Sequence, residues 1–114
     1  MATHFMSLND PWFTYVKNGE KKFEGRRANH SKVSVMNVGD LIQFHHHIDK
    51  TQLPFIKKIK NIFKFATFEE ALETLPLSEV LPNVVSVEEG VNIYFQFVSL
   101  QTQLQHGVIM IELE

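Results

Sequence analysis

The sequence predicts an α+β fold, a small mixed or antiparallel β-barrel flanked by helices. First, the chain has 114 residues, which is the size of one domain, here placed at residues 1–114. Second, the predicted order is a helix, a strand, one or two further strands, a long strand, two helices and a last strand, unlike the regular alternation of a parallel doubly wound sheet. Third, no glycine-rich turn joins a strand to a helix, which argues against Walker-type and dinucleotide-binding folds.

The composition excludes several classes of protein. Apolar residues make up 44% of the chain and include ten phenylalanines, enough to build a core and to exclude general disorder. The absence of cysteine excludes disulfide scaffolds, thiolate zinc sites and cysteine nucleophiles. Residues 1–10 contain neither a basic leader nor an apolar stretch, and no apolar run reaches the length of a membrane span. We therefore expect a soluble, cytoplasmic protein that does not enter a membrane.

The first predicted elements are a helix and a half-buried strand. Helix 11–18 follows the capping residues Asn9 and Asp10 and ends before Gly19, which suits a left-handed residue. Strand 21–27 alternates, placing Phe23 and Gly25 on one face and the polar residues on the other, namely Lys22, Glu24 and Arg26.

The middle of the chain is predicted to contain one or two further strands. Residues 29–38 read as a loop with a short strand at 33–36, and a turn around Gly39 opens strand 41–48. In the latter strand, period-two alternation puts four residues on one face, Ile42, Phe44, His46 and Ile48.

The second half is predicted to be a long strand, two helices and a last strand. The helices begin at the capping boxes Thr67/Glu70 and Ser86/Glu89. The predicted elements are strand 55–65, a helix from Thr67 to Pro76, a segment 77–85 with a helical turn, helix 87–97, a polar connection 101–105 and strand 107–113. The last strand is apolar on both faces, which predicts that it is central in the sheet or closes a barrel.

Charge is unevenly distributed along the chain. Residues 1–65 hold all eleven basic residues against five acidic ones, a formal charge of +6, whereas residues 66–114 hold eight glutamates and no basic residue, a charge of −8. This asymmetry favours a basic surface for an anionic partner. The alternative is that folding interleaves the two halves into mixed, solvated faces.

The segment 19–27 concentrates four bases and two acids. One interpretation is that Lys22, Glu24 and Arg26 project into a cleft, where cations hold phosphate and the carboxylate accepts hydrogen bonds from a base or ribose. The other is a solvated outer strand face with cross-strand ion pairs, each contributing at most about 1 kcal/mol.

These residues carry a resemblance to a known family. The passage from the first helix through Gly19, Lys21, Glu24 and Arg26, with a turn at 38–40 opening a strand, resembles the ASCH domain family, relatives of the PUA fold. The similarity spans about residues 6–114 and continues through Phe65, Thr67, Phe68, Leu81-Pro82, Ser86 to Glu89 and Gly107-Val108. It implies a PUA-like barrel with a helix-lined cleft facing Lys21, Glu24 and Arg26. It also implies RNA or a modified nucleoside as partner.

The resemblance further implies an alternative activity. Some small bacterial members are similar to amidohydrolases that remove the acetyl group of N4-acetylcytidine, and another has been described as a ribonuclease. In the amidohydrolase type, a lysine, a threonine three residues later and a glutamate of a later helix carry the chemistry. The matching positions here are Lys21, Glu24 in place of the threonine, and Glu88 or Glu89. A carboxylate at position 24 can act as a general base on water beside Lys21, but it cannot be the hydroxyl nucleophile.

We therefore predict an RNA- or modified-nucleoside-binding module, with a small hydrolase as the alternative. The predicted binding residues are Lys21, Lys22, Glu24, Arg26 and Arg27; the candidate catalytic set is Lys21, Glu24, Glu88 and Glu89. A competing role for Glu89 is helix capping. No cofactor is predicted.

Histidines, aromatic residues and lysines leave further alternatives. Of the run His45-His46-His47, only the outer two share a strand face and no third ligand is spaced for them, so we predict no metal site and either an exposed strand end or a core-facing His46. Trp12 and Tyr94 are candidates for base stacking because each has a polar atom. The phenylalanines at 55, 63, 65, 68, 95 and 97 are expected in the core. The lysines at 57, 58, 60 and 64 either extend a basic track or protect an edge strand from aggregation.

Overall fold

The computed structural model describes residues 1–114 and contains five strands and five α-helices. The strands are β1 Thr3–Leu8, β2 Phe23–Arg27, β3 Leu41–His46, β4 Phe55–Phe65 and β5 Val108–Leu113. The helices are α1 Trp12–Lys17, α2 Phe68–Thr74, α3 Leu77–Val80, α4 Val87–Phe95 and α5 Leu100–His106, with a 3-10 turn at Val33–Val35.

The strands form one mixed sheet in the order β1-β3-β4-β5-β2, curved into a half-barrel. β1 runs parallel to β3, and every other neighbouring pair is antiparallel. β5 lies between β4 and β2, as its two apolar faces predict. The predicted α+β class and PUA-like architecture are therefore confirmed.

Three local predictions are wrong. β1 has no counterpart among the predicted strands, although Met6 and Leu8 alternate toward the core. The short strand at 33–36 is a 3-10 turn. The polar connection 101–105 is helix α5, whose buried Gln103 donates to the Val98 carbonyl and accepts from the Phe68 amide.

Apolar side chains pack on both sides of the sheet. One cluster joins α1 to β1, β3 and β4 and includes the fully buried Phe13 and Phe44. The other joins α2, α3 and α4 to β2 and β5 and includes Phe68 and Met110. The long β4 contacts both clusters, so the helices of the second half and α1 are fixed to one common sheet.

Two histidines fasten the N-terminal segments to β3. The Nδ1 atom of His46 accepts from two backbone amides, so Nε2 carries the proton and donates to Asp10 at 3.0 Å, just before α1. His4 lies 2.8 Å from Asp40, and this bond, with backbone donors, lowers the pKa of the Asp40 carboxyl to about 2. His46 therefore faces the core, the second of the two alternatives for the histidine run.

No helix of the structure combines the length and apolar character needed to cross a bilayer.

Candidate ligand-binding cleft

A cleft of about 260 Å³ opens beside β2. β1 and β2 are the two edges of the half-barrel and do not pair with each other. The cleft is lined by the end of β1 around Leu8, by β2, and by residues of α1 and of the α4 end. It therefore occupies the gap that an unclosed barrel leaves between its edge strands.

The floor of the cleft is built from an aromatic pair above a glycine. The rings of Phe68 and Tyr94 lie parallel, with centroids 3.9 Å apart. Gly25 of β2 lies beneath them: a Cβ atom at this position would be 2.7 Å from the Tyr94 hydroxyl and 2.7 Å from Sδ of Met110. A glycine is required here by close packing rather than by backbone conformation.

Lys21 is held in the cleft just before β2 begins. Its backbone amide donates to the Tyr15 carbonyl at 3.0 Å, and only 3% of the residue is exposed. Its Nζ donates to the Val80 carbonyl and lies 5.6 Å from the centroid of the Trp12 ring. Burial lowers the pKa of this amine, which the nearby Glu24 carboxylate partly opposes. The cleft thus contains an amine that gives up its proton more readily than a free lysine.

Three buried polar atoms in the cleft have no hydrogen-bond partner in the protein. They are Oε2 of Glu24, Nε of Arg26 and the hydroxyl of Tyr94. Arg26 Nε and Glu24 Oε1 are 3.9 Å apart, a loose ion pair that leaves both groups open to other partners. Burial raises the pKa of the Tyr94 phenol well above its usual range, so the hydroxyl stays protonated. A buried polar group without a partner costs about 1–3 kcal/mol, so each of these three atoms would be stabilised by a hydrogen-bond partner.

The mouth of the cleft is lined by Trp12, Arg27, His30 and Phe97. Phe97 is 73% exposed, although the sequence predicts it in the core; Phe63 and Phe95 are exposed as well. His30 and Phe97 were missed by sequence reasoning, because neither belongs to a motif. Trp12 lines the cleft, as a stacking residue must, whereas Tyr94 already stacks within the protein.

The predicted binding residues divide into two groups. Lys21, Glu24, Arg26 and Arg27 all line the cleft. Lys22 does not: its exposed amine lies 3.2 Å from Glu79. Both lysines precede β2, which begins at Phe23, so the alternation of the strand does not extend to Lys22; its backbone amide instead donates to the Glu79 carbonyl at 2.7 Å.

Glu88 and Glu89 also lie outside the cleft. Both are exposed in the first turn of α4, and the Glu89 amide is capped by the Ser86 hydroxyl at 3.1 Å. The structure therefore does not bring either glutamate to Lys21 and Glu24.

Several other sequence features contribute nothing to this cleft. The β4 lysines lie on another part of the sheet, and Lys60 is 4.0 Å from Glu112. No three histidine, aspartate or glutamate side chains are grouped as metal ligands. The cleft therefore offers hydrogen bonds, charge and aromatic surface as its means of binding.

Known proteins share both this sequence pattern and this fold. The family model described as ASCH domain matches residues 6–114. The crystal structure of the hypothetical protein PH0355 is 34% identical, with a TM-score of 0.85 over 98% of this chain and 97% of that one. The solution structure of protein PF0455 from Pyrococcus furiosus is 32% identical, with a TM-score of 0.77 over 98% and 96%.

A more distant structure shares the fold alone. It is a mutant form of an ASCH protein from Zymomonas mobilis, 14% identical, with a TM-score of 0.69 over 100% of this chain and 70% of that one. A search of curated proteins returned no match.

Proposed function

Since this chain belongs to the ASCH domain family, which is associated with RNA binding, we propose that its cleft binds one nucleobase of RNA or of a modified nucleoside. The observation that carries the proposal is the set of three unpartnered buried polar atoms that belong to Glu24, Arg26 and Tyr94, three residues that line one small cleft.

The chemistry of these atoms matches the edge of a base. The Glu24 carboxylate accepts hydrogen bonds, Arg26 Nε donates one, and the protonated Tyr94 hydroxyl can do either. A nucleobase presents ring or exocyclic N–H donors beside carbonyl or ring-nitrogen acceptors on one edge. A bound base would therefore supply the hydrogen-bond partners that these buried groups lack. The free energy lost by burying them without partners in the free protein would be recovered on binding.

The size and aromatic content of the cleft point to the same ligand. Its volume of about 260 Å³ lies just below the ~300–1,000 Å³ of sites for drug-sized molecules, so it fits a single base with its sugar. Trp12 presents a ring at the wall for stacking, which is how proteins commonly hold unpaired bases.

The test is titration of the protein with the four nucleosides, N4-acetylcytidine and short single-stranded RNA. We expect at least one of them to bind, and Glu24→Gln to weaken that binding about 10-fold or more, because a charge-assisted hydrogen bond contributes about 1.5–3 kcal/mol. Isothermal titration calorimetry measures the affinity.

Lys22→Ala is the matched control, since it removes a charge from the adjacent strand entry but outside the cleft. It should leave affinity unchanged. Equal losses in the two variants, or the absence of binding by every probe at low salt, would contradict a base-binding cleft.

A second function is favoured by one further observation, the buried Lys21 amine in the same cleft as the Glu24 carboxylate. Here Glu24 takes a proton from a water that attacks the acyl carbon of an acylated nucleoside, and the protonated Lys21 stabilises the oxyanion. Glu24 then gives that proton to the nucleoside nitrogen as the acyl C–N bond breaks, which releases the free amine and the carboxylic acid. The lowered pKa of Lys21 means that turnover should decline as pH rises, at a lower pH than for a free lysine.

Chromatography after incubation with N4-acetylcytidine tests this hydrolase. We expect Lys21→Met to abolish turnover while remaining folded, because methionine fills similar space without the charge. Glu88→Gln and Glu89→Gln are the control variants. Because both residues lie outside the cleft, these two variants should retain full turnover. Activity that survives Lys21→Met would exclude this mechanism.

A further inference from the structure

The turn that follows β2 brings two nitrogen-rich side chains to the mouth of the cleft. The His30 amide donates to the Arg27 carbonyl at 3.1 Å, which closes the turn, and both residues line the cavity. Neither residue is needed for the base contacts of Glu24, Arg26 and Tyr94. The mouth therefore has polar groups of its own.

Both side chains offer donors that the protein does not use. The backbone amide of Lys32 donates to Nδ1 of His30 at 3.1 Å, so the ring proton resides on Nε2. That N–H has no acceptor within the protein. Arg27 forms no ion pair, whereas Arg26 lies 3.9 Å from Glu24. Unused donors of this kind are suited to an oxyanion.

Positive charge exceeds negative charge around these donors. The cleft is lined by Lys21, Arg26 and Arg27 against the single carboxylate of Glu24. Burial lowers the pKa of His30, and so do the neighbouring cations Arg26, Arg27 and Lys32. The cleft lining therefore carries a net positive formal charge.

We propose that Arg27 and His30 form a phosphate subsite, so that the ligand is a nucleotide unit with its base inside the cleft and its phosphate at the mouth. This inference rests on the proposed function, because the base has to occupy the inner cleft. The phosphate comes either from a free nucleoside monophosphate or from a phosphodiester of single-stranded RNA.

A pH dependence follows from this arrangement. The charged groups facing His30 are Arg26, Arg27 and Lys32, and the other titratable groups of the cleft are Lys21, Glu24 and Tyr94. A bound phosphodiester opposes the cations and favours protonation of the ring. Affinity for RNA should therefore rise as the pH falls from about 8 to about 5.5, whereas affinity for an uncharged nucleoside should not.

The experiment compares a nucleoside, its 5′-monophosphate and a single-stranded RNA trinucleotide containing the same base, each titrated into wild type, Arg27→Ala and His30→Gln. Phosphate should add about 10-fold or more to the affinity of wild type, and Arg27→Ala should lower the ratio of monophosphate affinity to nucleoside affinity toward 1. His30→Gln should abolish the pH dependence of RNA binding. Lys17→Ala, which removes an exposed charge of α1 that does not line the cleft, is the control.

The outcomes separate the two proposals. If the nucleoside binds but phosphate adds no affinity, or Arg27→Ala acts no differently from Lys17→Ala, the subsite is overturned and the base-binding function stands. If none of the three ligands binds, the proposed function itself fails. A gain confined to the monophosphate supports the subsite with a free nucleotide as ligand, and a gain with the trinucleotide supports it with RNA.

Discussion

Phe68→Ala is expected to destabilise the protein by about 3–5 kcal/mol, the cost of truncating a fully buried phenylalanine. Phe68 connects three parts of the molecule. Its ring stacks on Tyr94 of α4, its amide donates to the Gln103 side chain at 2.9 Å, and it opens α2. Loss of the ring therefore removes core packing and also the surface on which the Tyr94 ring stacks.

Chemical denaturation followed by circular dichroism measures this effect. The matched control is Phe97→Ala, which alters another phenylalanine of the same cleft but one that is 73% exposed. Its cost should stay within about 0.5 kcal/mol, as for other surface substitutions. If the two variants lost similar amounts of unfolding free energy, Phe68 would not be a structural residue of the cleft floor, distinct from an exposed Phe97 at its mouth.

Sequence reasoning placed correctly the elements whose residue propensities and capping residues predict the same structure that their tertiary packing favours. Strand 55–65 is predicted and β4 runs from Phe55 to Phe65, because β-branched and aromatic residues there are bounded by a polar turn and a helix cap. The Thr67 and Ser86 side chains cap α2 and α4 as their spacing predicts.

The elements that were missed depend on tertiary contacts. β1 exists through parallel pairing with β3, a strand that is distant in the sequence, which no local pattern encodes. α5 is polar in sequence, and its one fully buried side chain, Gln103, is satisfied by hydrogen bonds to backbone outside the helix. Propensity alone cannot identify such a helix, since its stability comes from what it contacts.

The cleft was anticipated only in part, for a related reason. The resemblance pointed to Lys21, Glu24 and Arg26, and all three line the cavity. Period-two counting placed Lys22 with Glu24 and Arg26, but β2 begins at Phe23, two residues after the predicted start, so the count does not apply to Lys22. No sequence motif marks His30. Its position at the mouth of the cleft results from the turn after β2, and the cations near it are brought together only by the fold.

Gly25→Ala is the second substitution with a large expected effect, about 1–3 kcal/mol of destabilisation together with loss of ligand affinity. The new methyl group would lie 2.7 Å from Met110 Sδ, 2.7 Å from the Tyr94 hydroxyl and 3.1 Å from Cε1 of Phe68. Met110 and Phe68 are fully buried, and Tyr94 is stacked on Phe68, so these atoms cannot move aside without disturbing the core.

A double-mutant cycle with Tyr94→Phe distinguishes this steric cause from a general weakening of β2. Tyr94→Phe alone removes an unpartnered buried hydroxyl, so it should be neutral or stabilising in the free protein while lowering ligand affinity. In the Gly25→Ala background it also removes one of the two closest contacts, so the double variant should be more stable than the sum of the single effects predicts. Strict additivity would mean that the methyl group does not meet the hydroxyl. A measurable coupling would instead establish that this glycine keeps the space that the Tyr94 hydroxyl occupies beside β2.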